Sequence, residues 1–280
     1  MSRIAVIGLV GESVFLTLER HQEVGETAHA TDIHREWGGK GYNQAIAAAR
    51  YGAEVAFLGA ACGADADSIA RAAAEDGVRA YIAKKDVPTA YGVIATDKSG
   101  DNRVTVFGGA ALEEADVAGF AAEIETSDAL LIGNEVPECV NVAAVKIAVA
   151  KGVKVIYNPA PVREICQYLL ANTDLFTPNE YEYEALGERD NVVVTLGARG
   201  CMIGKEGRVI PALPIERAVD TTGAGDTFTG VLSVALAEGL DEVAAATAAS
   251  AAASLEVTKK YVMPAIPTRA EVEEALALRG

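Results

Sequence analysis

The sequence predicts an α/β protein whose main sheet is parallel and covered by helices on both faces, with a small β-sheet flap projecting from it. Three observations carry this. Short apolar, β-rich runs alternate with alanine-rich stretches of helical length through most of the chain, and strands buried on both faces read as continuous apolar runs. Two segments, 14–36 and 88–107, alternate without helical spacing, as in Tyr91-Gly-Val-Ile-Ala-Thr and Arg103-Val-Thr-Val-Phe, which is the pattern of a small antiparallel sheet. Half of the 280 residues are hydrophobic, enough to bury a large core.

In chain order, the apolar runs place strands at 4–8, 54–60, 129–132, 154–158, 175–177 and 192–196, and the alanine-rich stretches place helices at 41–51, 65–76, 137–151 and about 227–238. Asp97-Lys-Ser-Gly-Asp-Asn separates the last two alternating runs and reads as a hairpin turn. Only fourteen residues, 178–191, join the strands at 175–177 and 192–196. A parallel crossover needs about a dozen residues or more, so this one has room for a short helix. With no internal repeat or low-complexity linker, 1–280 reads as a single domain. Insertions at about 12–36 and 88–108 then form a lid, not a second folding unit.

The formal net charge of −16 disfavours nonspecific binding to nucleic acid or to an anionic membrane. Any polyanionic ligand must therefore be held locally, by N–H groups, a metal ion and a few basic side chains. The four cysteines, Cys62, Cys139, Cys166 and Cys201, lie far apart with no Cys-x-x-Cys pair, which argues against a zinc site or a disulfide framework. The N-terminus enters a strand without a signal-peptide pattern, and the 243–257 alanine run is too short and too weakly apolar to span a membrane. A cytoplasmic location is the expectation.

Asp220-Thr-Thr-Gly-Ala-Gly-Asp226 carries the chemistry. A glycine-rich turn opening a helix points unpaired N–H groups in one direction, beside the positive end of the helix dipole, and attracts phosphate. A carboxylate there would repel the same ligand. Asp226 has a reason to be present if it takes a proton from a hydroxyl about to receive a phosphoryl group; otherwise it is an acidic residue near a helix cap. Trp37-Gly-Gly-Lys-Gly-Tyr-Asn-Gln-Ala is the second segment. Its glycines let backbone approach a ligand, and Lys40 and Asn43 add polar groups at a helix start, suited to a polyol; the Walker spacing is absent. Asn179-Glu-Tyr-Glu182 could hold waters around Mg²⁺, or be a solvated helix start. Thr195-Leu-Gly-Ala-Arg-Gly200 ends another strand in a tight turn. Both lie at strand carboxyl ends, where open α/β sheets bind ligands.

The order of these segments resembles the ribokinase-like (PfkB) family of carbohydrate kinases, from Ile4 to about Pro267, with Gly38-Gly-Lys-Gly-x-Asn43 and Asp220-Thr-Thr-Gly-Ala-Gly-Asp226 as jointly specific motifs. The resemblance implies a Rossmann-like three-layer sandwich with a β-lid over the sugar, and a homodimer through that lid. It implies ATP-dependent phosphoryl transfer to a hydroxyl, a primary one, of a sugar or nucleoside. By position, Asp226 corresponds to the catalytic base and Gly223, Ala224 and Gly225 to the anion hole. Gly39, Lys40, Asn43 and Glu135 match sugar-contacting positions. Thr195, Gly197 and Gly200 match the nucleotide loop, and Asn179 and Glu182 the Mg²⁺ and phosphate motif. Asp220 and Thr222 match residues that hold a monovalent cation, usually K⁺.

Two departures stand out. Members acting on ribose have Asn and Asp near the end of the first strand, where this chain has Gly11 and Ser13. Ser13 retains one hydrogen bond but not a carboxylate acceptor. Tyr261 stands where the family usually has glycine, which permits positive φ where tyrosine does so poorly. The acceptor is thus left open among ribose, other pentoses, hexoses and nucleosides, with sugar phosphates disfavoured because the lid segments lack an Arg/Lys patch. A non-catalytic sensor on the same fold is the competing expectation, although it would have no use for Asp226. A dinucleotide-dependent oxidoreductase is excluded at Gly8-Leu-Val-Gly11, which lacks the third glycine of that fingerprint.

Overall fold

The computed structural model describes residues 1–99 and 101–278. Its central sheet has six parallel strands, β1 (Arg3–Ile7), β4 (Glu54–Cys62), β5 (Val78–Lys85), β8 (Ala129–Gly133), β9 (Lys154–Asn158) and β10 (Leu175–Phe176), in the order β10-β9-β8-β1-β4-β5. A second sheet is built from β2 (Gly11–Leu18), β3 (Ala30–Gly38), β6 (Ala90–Thr96) and β7 (Asn102–Phe107), in the order β3-β2-β6-β7. The third, antiparallel, holds β11 (Val193–Thr195), β12 (Cys201–Ile203) and β13 (Arg208–Ile210). Parallel bridges Phe176 to Val192 and Asn179 to Thr195 join it to the β10 edge.

Strand alternation divides the core into two layers. Ile4 and Val6 pack on the face covered by α1 (Lys40–Arg50), α2 (Gly63–Glu75), α8 (Ala224–Ala237), α9 (Glu242–Glu256) and α10 (Arg269–Ala277). Ala5 and Ile7 pack on the opposite face, under α3 (Glu114–Ala118), α4 (Ala121–Glu125), α5 (Glu138–Lys151) and α6 (Gln167–Ala171). This is the three-layer arrangement, and it brings β1 and α1 together closely: a Cβ on Gly8 would lie 2.5 Å from Gly41 Cα. The 178–191 crossover holds one seven-residue helix, α7 (Glu180–Leu186).

The projecting sheet has an unexpected centre. Pairs β2/β3 and β6/β7 are antiparallel, as alternating hairpins would be, but β2 and β6 run parallel over 11–17. Each follows a central strand outward, β2 after β1 and β6 after β5, so they leave the main sheet in the same direction. The hairpin turn expected at 97–102 includes Gly100, which lies outside the described residues. Among the described residues, no helix is long and apolar enough to cross a membrane.

Candidate active site

Helix α8 begins at Ala224, whereas the sequence places its start near Thr227. Gly223 is the cap residue at φ 91°, a left-handed conformation that glycine adopts without steric cost. The first helical bond runs from Thr227 N–H to Gly223 O at 2.8 Å. The amides of Gly225 and Asp226 thus fall in the first turn, without intrahelical acceptors. Asp220 pins the turn, accepting from Thr222 N–H at 3.0 Å and from Tyr261 N–H at 3.2 Å.

Asp226 is the third residue of the helix and is buried, 6% exposed. Its Oδ2 accepts from Asn43 Nδ2 at 2.8 Å and its Oδ1 from Gln44 Nε2 at 3.3 Å, while Gln44 Nε2 also lies 3.2 Å from Asn158 Oδ1. Burial raises the carboxyl pKa; the Lys40 ammonium and the two amide donors oppose it. A carboxylate made more basic yet held by donors on both oxygens is suited to accept a proton. Gln44 and Asn158 were not among the sequence-derived candidates. Gln44 follows Asn43 in the glycine-lysine segment, and Asn158 ends a strand; either position could have flagged them.

Around this carboxylate the candidates divide into two groups. On the lid side, Ser13 Oγ lies against Gly38, where an added Cβ would approach it to 2.7 Å and Asn43 Oδ1 to 3.7 Å. Among the described residues that Asn43 oxygen has no hydrogen-bond partner, and buried acceptors are ordinarily paired. Gly39 caps α1 at φ 106°, and Lys40 N–H donates to Glu135 Oε2 at 2.8 Å. Burial, reinforced by Asp226, pushes the Glu135 carboxyl up to about 7 against the pull of Lys40.

On the other side lies a cavity of about 890 Å³. Thr195, Gly197, Gly200, Asn179, Glu182 and the 221–226 turn line it, with an apolar wall from Leu213, Pro214, Ile215 and Val257. Asn179 and Glu182 form a reciprocal capping box on α7, Asn179 Oδ1 accepting from Glu182 N–H and Glu182 Oε2 from Asn179 N–H, both at 2.8 Å. Lys40, expected beside the sugar, also lines this cavity, and its pKa is raised by Asp226 first, then Glu135 and Glu182, against burial. Asp226 and Lys40 therefore stand where the two groups meet.

Beneath the turn is a further acidic residue, Glu256, which is fully buried and finds no partner for either carboxylate oxygen among the described residues. Burial together with Asp220, Asp226 and Glu36 pushes its carboxyl up to about 9. It packs under Gly223, where a Cβ would lie 3.0 Å from Glu256 Oε1.

The family model for the pfkB family carbohydrate kinases matches residues 1–269. The chain belongs to that family. It is 34% identical to the ribokinase of Haemophilus influenzae over 301 aligned positions, covering 98% of each chain. The Thermotoga maritima ribokinase structure matches with TM-score 0.87 at 30% identity, over 99% of this chain and 100% of that one. Arabidopsis thaliana ribokinase, solved with ribose and ATP, matches with TM-score 0.85 at 27% identity, over 99% of both chains. This PfkB protein is an ATP-dependent carbohydrate kinase with the ribokinase-like α/β fold and a β-lid.

Both departures in this family member acquire a structural meaning. Gly11 is wedged between β3 and β6, where a Cβ would lie 2.5 Å from Ala90 O and 2.8 Å from Ala90 Cβ. Tyr261 keeps the left-handed conformation despite its side chain, at φ 66°.

Proposed function

We propose that this kinase transfers the γ-phosphoryl group of ATP to a primary hydroxyl of a ribose-like sugar, with Asp226 as the base. The observation that carries this reading is the buried Asp226 carboxylate, held by Asn43 and Gln44 beside the free amides of its own helix. The hydroxyl proton passes to Asp226 as the hydroxyl oxygen attacks the γ-phosphorus. The bond from that phosphorus to the bridging oxygen breaks, and ADP leaves with the electron pair. The amides of Gly225 and Asp226 and the Lys40 ammonium take up charge on the transferring group, while Gly223 and Ala224 shape the turn, with Ala224 N–H donating to Thr221 O at 3.4 Å.

Residues on the lid side, Ser13, Gly39, Asn43 and Glu135, hold the sugar; Asn43 Oδ1 is ready to accept one of its hydroxyls. Thr195, Gly197 and Gly200 hold the nucleotide. Relatives named ribokinases and the ribose and ATP in the Arabidopsis structure support ribose as acceptor, while Gly11 and Ser13 make its hydroxyl contacts differ.

The residues also fit two ions. Glu182 lines the cavity with one oxygen committed to the cap, and its carboxylate with Asn179 would hold Mg²⁺ through water. Mg²⁺ neutralises phosphate charge when bound. The orphaned Glu256 oxygens beside Asp220 fit a cation better than an empty apolar site, since an unpaired buried carboxylate is costly. Asp220, Thr222 and Glu256 would hold K⁺, a fixed positive charge under the turn.

The same proposal takes residues 1–280 as one domain with the lid as insertions, in a cytoplasmic enzyme. It includes a homodimer through the lid, whose edge strands β3 and β7 expose Ile33, Val104, Val106 and Phe107.

The test is ADP release over a panel of pentoses, hexoses and nucleosides, for the wild type and Asp226→Asn. Ribose should give turnover, and the variant should lose about 10²–10⁴-fold in kcat. Near-normal turnover by Asp226→Asn would remove it as the base, and a nucleoside-only response would replace the acceptor.

A further inference from the structure

The contacts of Tyr261 run in two directions. Its backbone N–H donates to Asp220 Oδ2 at 3.2 Å, and Asp220 in turn holds Thr222 at the entrance of the anion-hole turn. Its side chain goes the other way, into the lid. The ring stacks on His34 with centroids 3.9 Å apart and planes at 14°, meets Phe15 edge-on at 5.3 Å, and its hydroxyl lies 3.1 Å from Asp32 Oδ2 as a donor. The next two residues add a second attachment: Val262 N–H and Met263 N–H donate to Glu36 Oε1 at 3.0 and 3.3 Å. The Glu36 side chain is 6% exposed, and its other oxygen lies 2.9 Å from His34 Nε2.

The register of the lid gives these contacts their meaning. Asp32, His34 and Glu36 alternate along β3, so all three point to one face. Across the strand pair, Glu36 is opposite Ser13 and His34 is opposite Phe15. The face gripped by Tyr261 is therefore the face that presents Ser13. A left-handed tyrosine is an uncommon conformation, and one retained at a mechanical junction points to a role there.

We propose that Tyr261 and Glu36 are positioning residues that fix the acceptor-side lid relative to the anion-hole turn, so that sugar hydroxyl and phosphoryl group meet in line. Neither touches the reacting atoms. Tyr261 acts through Asp220 on the turn and through His34 and Phe15 on β2 and β3; Glu36 locks the loop between them. This rests on the roles proposed above for Ser13 and residues 223–226.

The experiment compares Tyr261→Phe, Tyr261→Gly and Glu36→Ala in the full chain, by steady-state kinetics and by hydrogen exchange of β2 and β3. Tyr261→Gly and Glu36→Ala should lower kcat/KM for the sugar by about 10–100-fold, the scale of a small misplacement, with the KM for ATP unchanged and faster exchange in both lid strands. Tyr261→Phe keeps the stack and should rescue most of the loss. Glu36→Ala removes both acceptor oxygens and carries the test if Tyr261→Gly does not fold. Wild-type kinetics and exchange in Glu36→Ala would overturn the proposal, as would a Tyr261→Phe variant no better than Tyr261→Gly. Asp226→Asn in the same assay separates the two ideas. If it retains turnover the site reading has failed; if it is dead while the lid variants are normal, only the positioning role has.

Discussion

In the role proposed for Glu135, one half-buried carboxyl affects sugar binding and stability in opposite directions. Its folded pKa, about 7, lies above the ordinary value of 4.5 because burial and Asp226 disfavour its charge. Its stabilising contribution is complete below about 4.5 and is lost as pH rises through 7. Sugar binding should follow the reverse course, since only the ionised form is a full acceptor for hydroxyls. We expect the sugar KM to fall as pH rises from 6 to 8, with Glu135→Gln flattening that profile and removing the matching decline in Tm. A variant whose KM keeps the wild-type pH dependence would place the titration elsewhere. Residues of this kind were legible in part: Asp226 and Asn43 announce themselves by motif, whereas Glu36 and Glu256 sit in unremarkable sequence and gain significance only from what folds against them.

Elements were easier to read than their ends. The strand at 154–158 and the short helix of the 178–191 crossover followed directly from pattern and chain length. The start of α8 did not, because Gly223-Ala-Gly225 looks like a turn by composition, and nothing in the pattern shows that Gly223 takes a left-handed cap conformation from which the helix begins at Ala224. The parallel β2/β6 pair was equally hidden, since period-two alternation specifies a strand face but not its partner's direction. Gly223→Ala tests the cap. A Cβ there meets Val262 Cγ1 at 2.6 Å at a φ of 91°, so a stability loss of about 1–3 kcal/mol is expected from strain and overlap. Urea denaturation measures it. The kcat should fall as well, as the amides tilt; unchanged stability would mean the turn is free to relax.

Across the whole molecule, negative charge is the dominant electrostatic fact. With a net charge of −16 and Asp220, Glu36 and Glu256 gathered beneath the turn, phosphate binding depends on local compensation. If K⁺ binds as proposed beside Asp220 and Glu256, replacing choline chloride with KCl should raise Tm by a shift on the order of a few degrees, measurable by scanning fluorimetry without substrate. Glu256→Gln should shrink that shift. Equal melting in both salts would dispense with the ion and leave Glu256 to carry its own proton.

The crowding at Gly11 bears on any attempt to redesign this enzyme. Grafting a larger residue there would drive its side chain into Ala90 and pry β2 from β6. The two strands form the centre of the lid, so the graft would deform the cover before it could touch the sugar. Exchanging acceptor preference between family members is therefore a problem of transplanting a lid, and a single-residue swap at this position should fail.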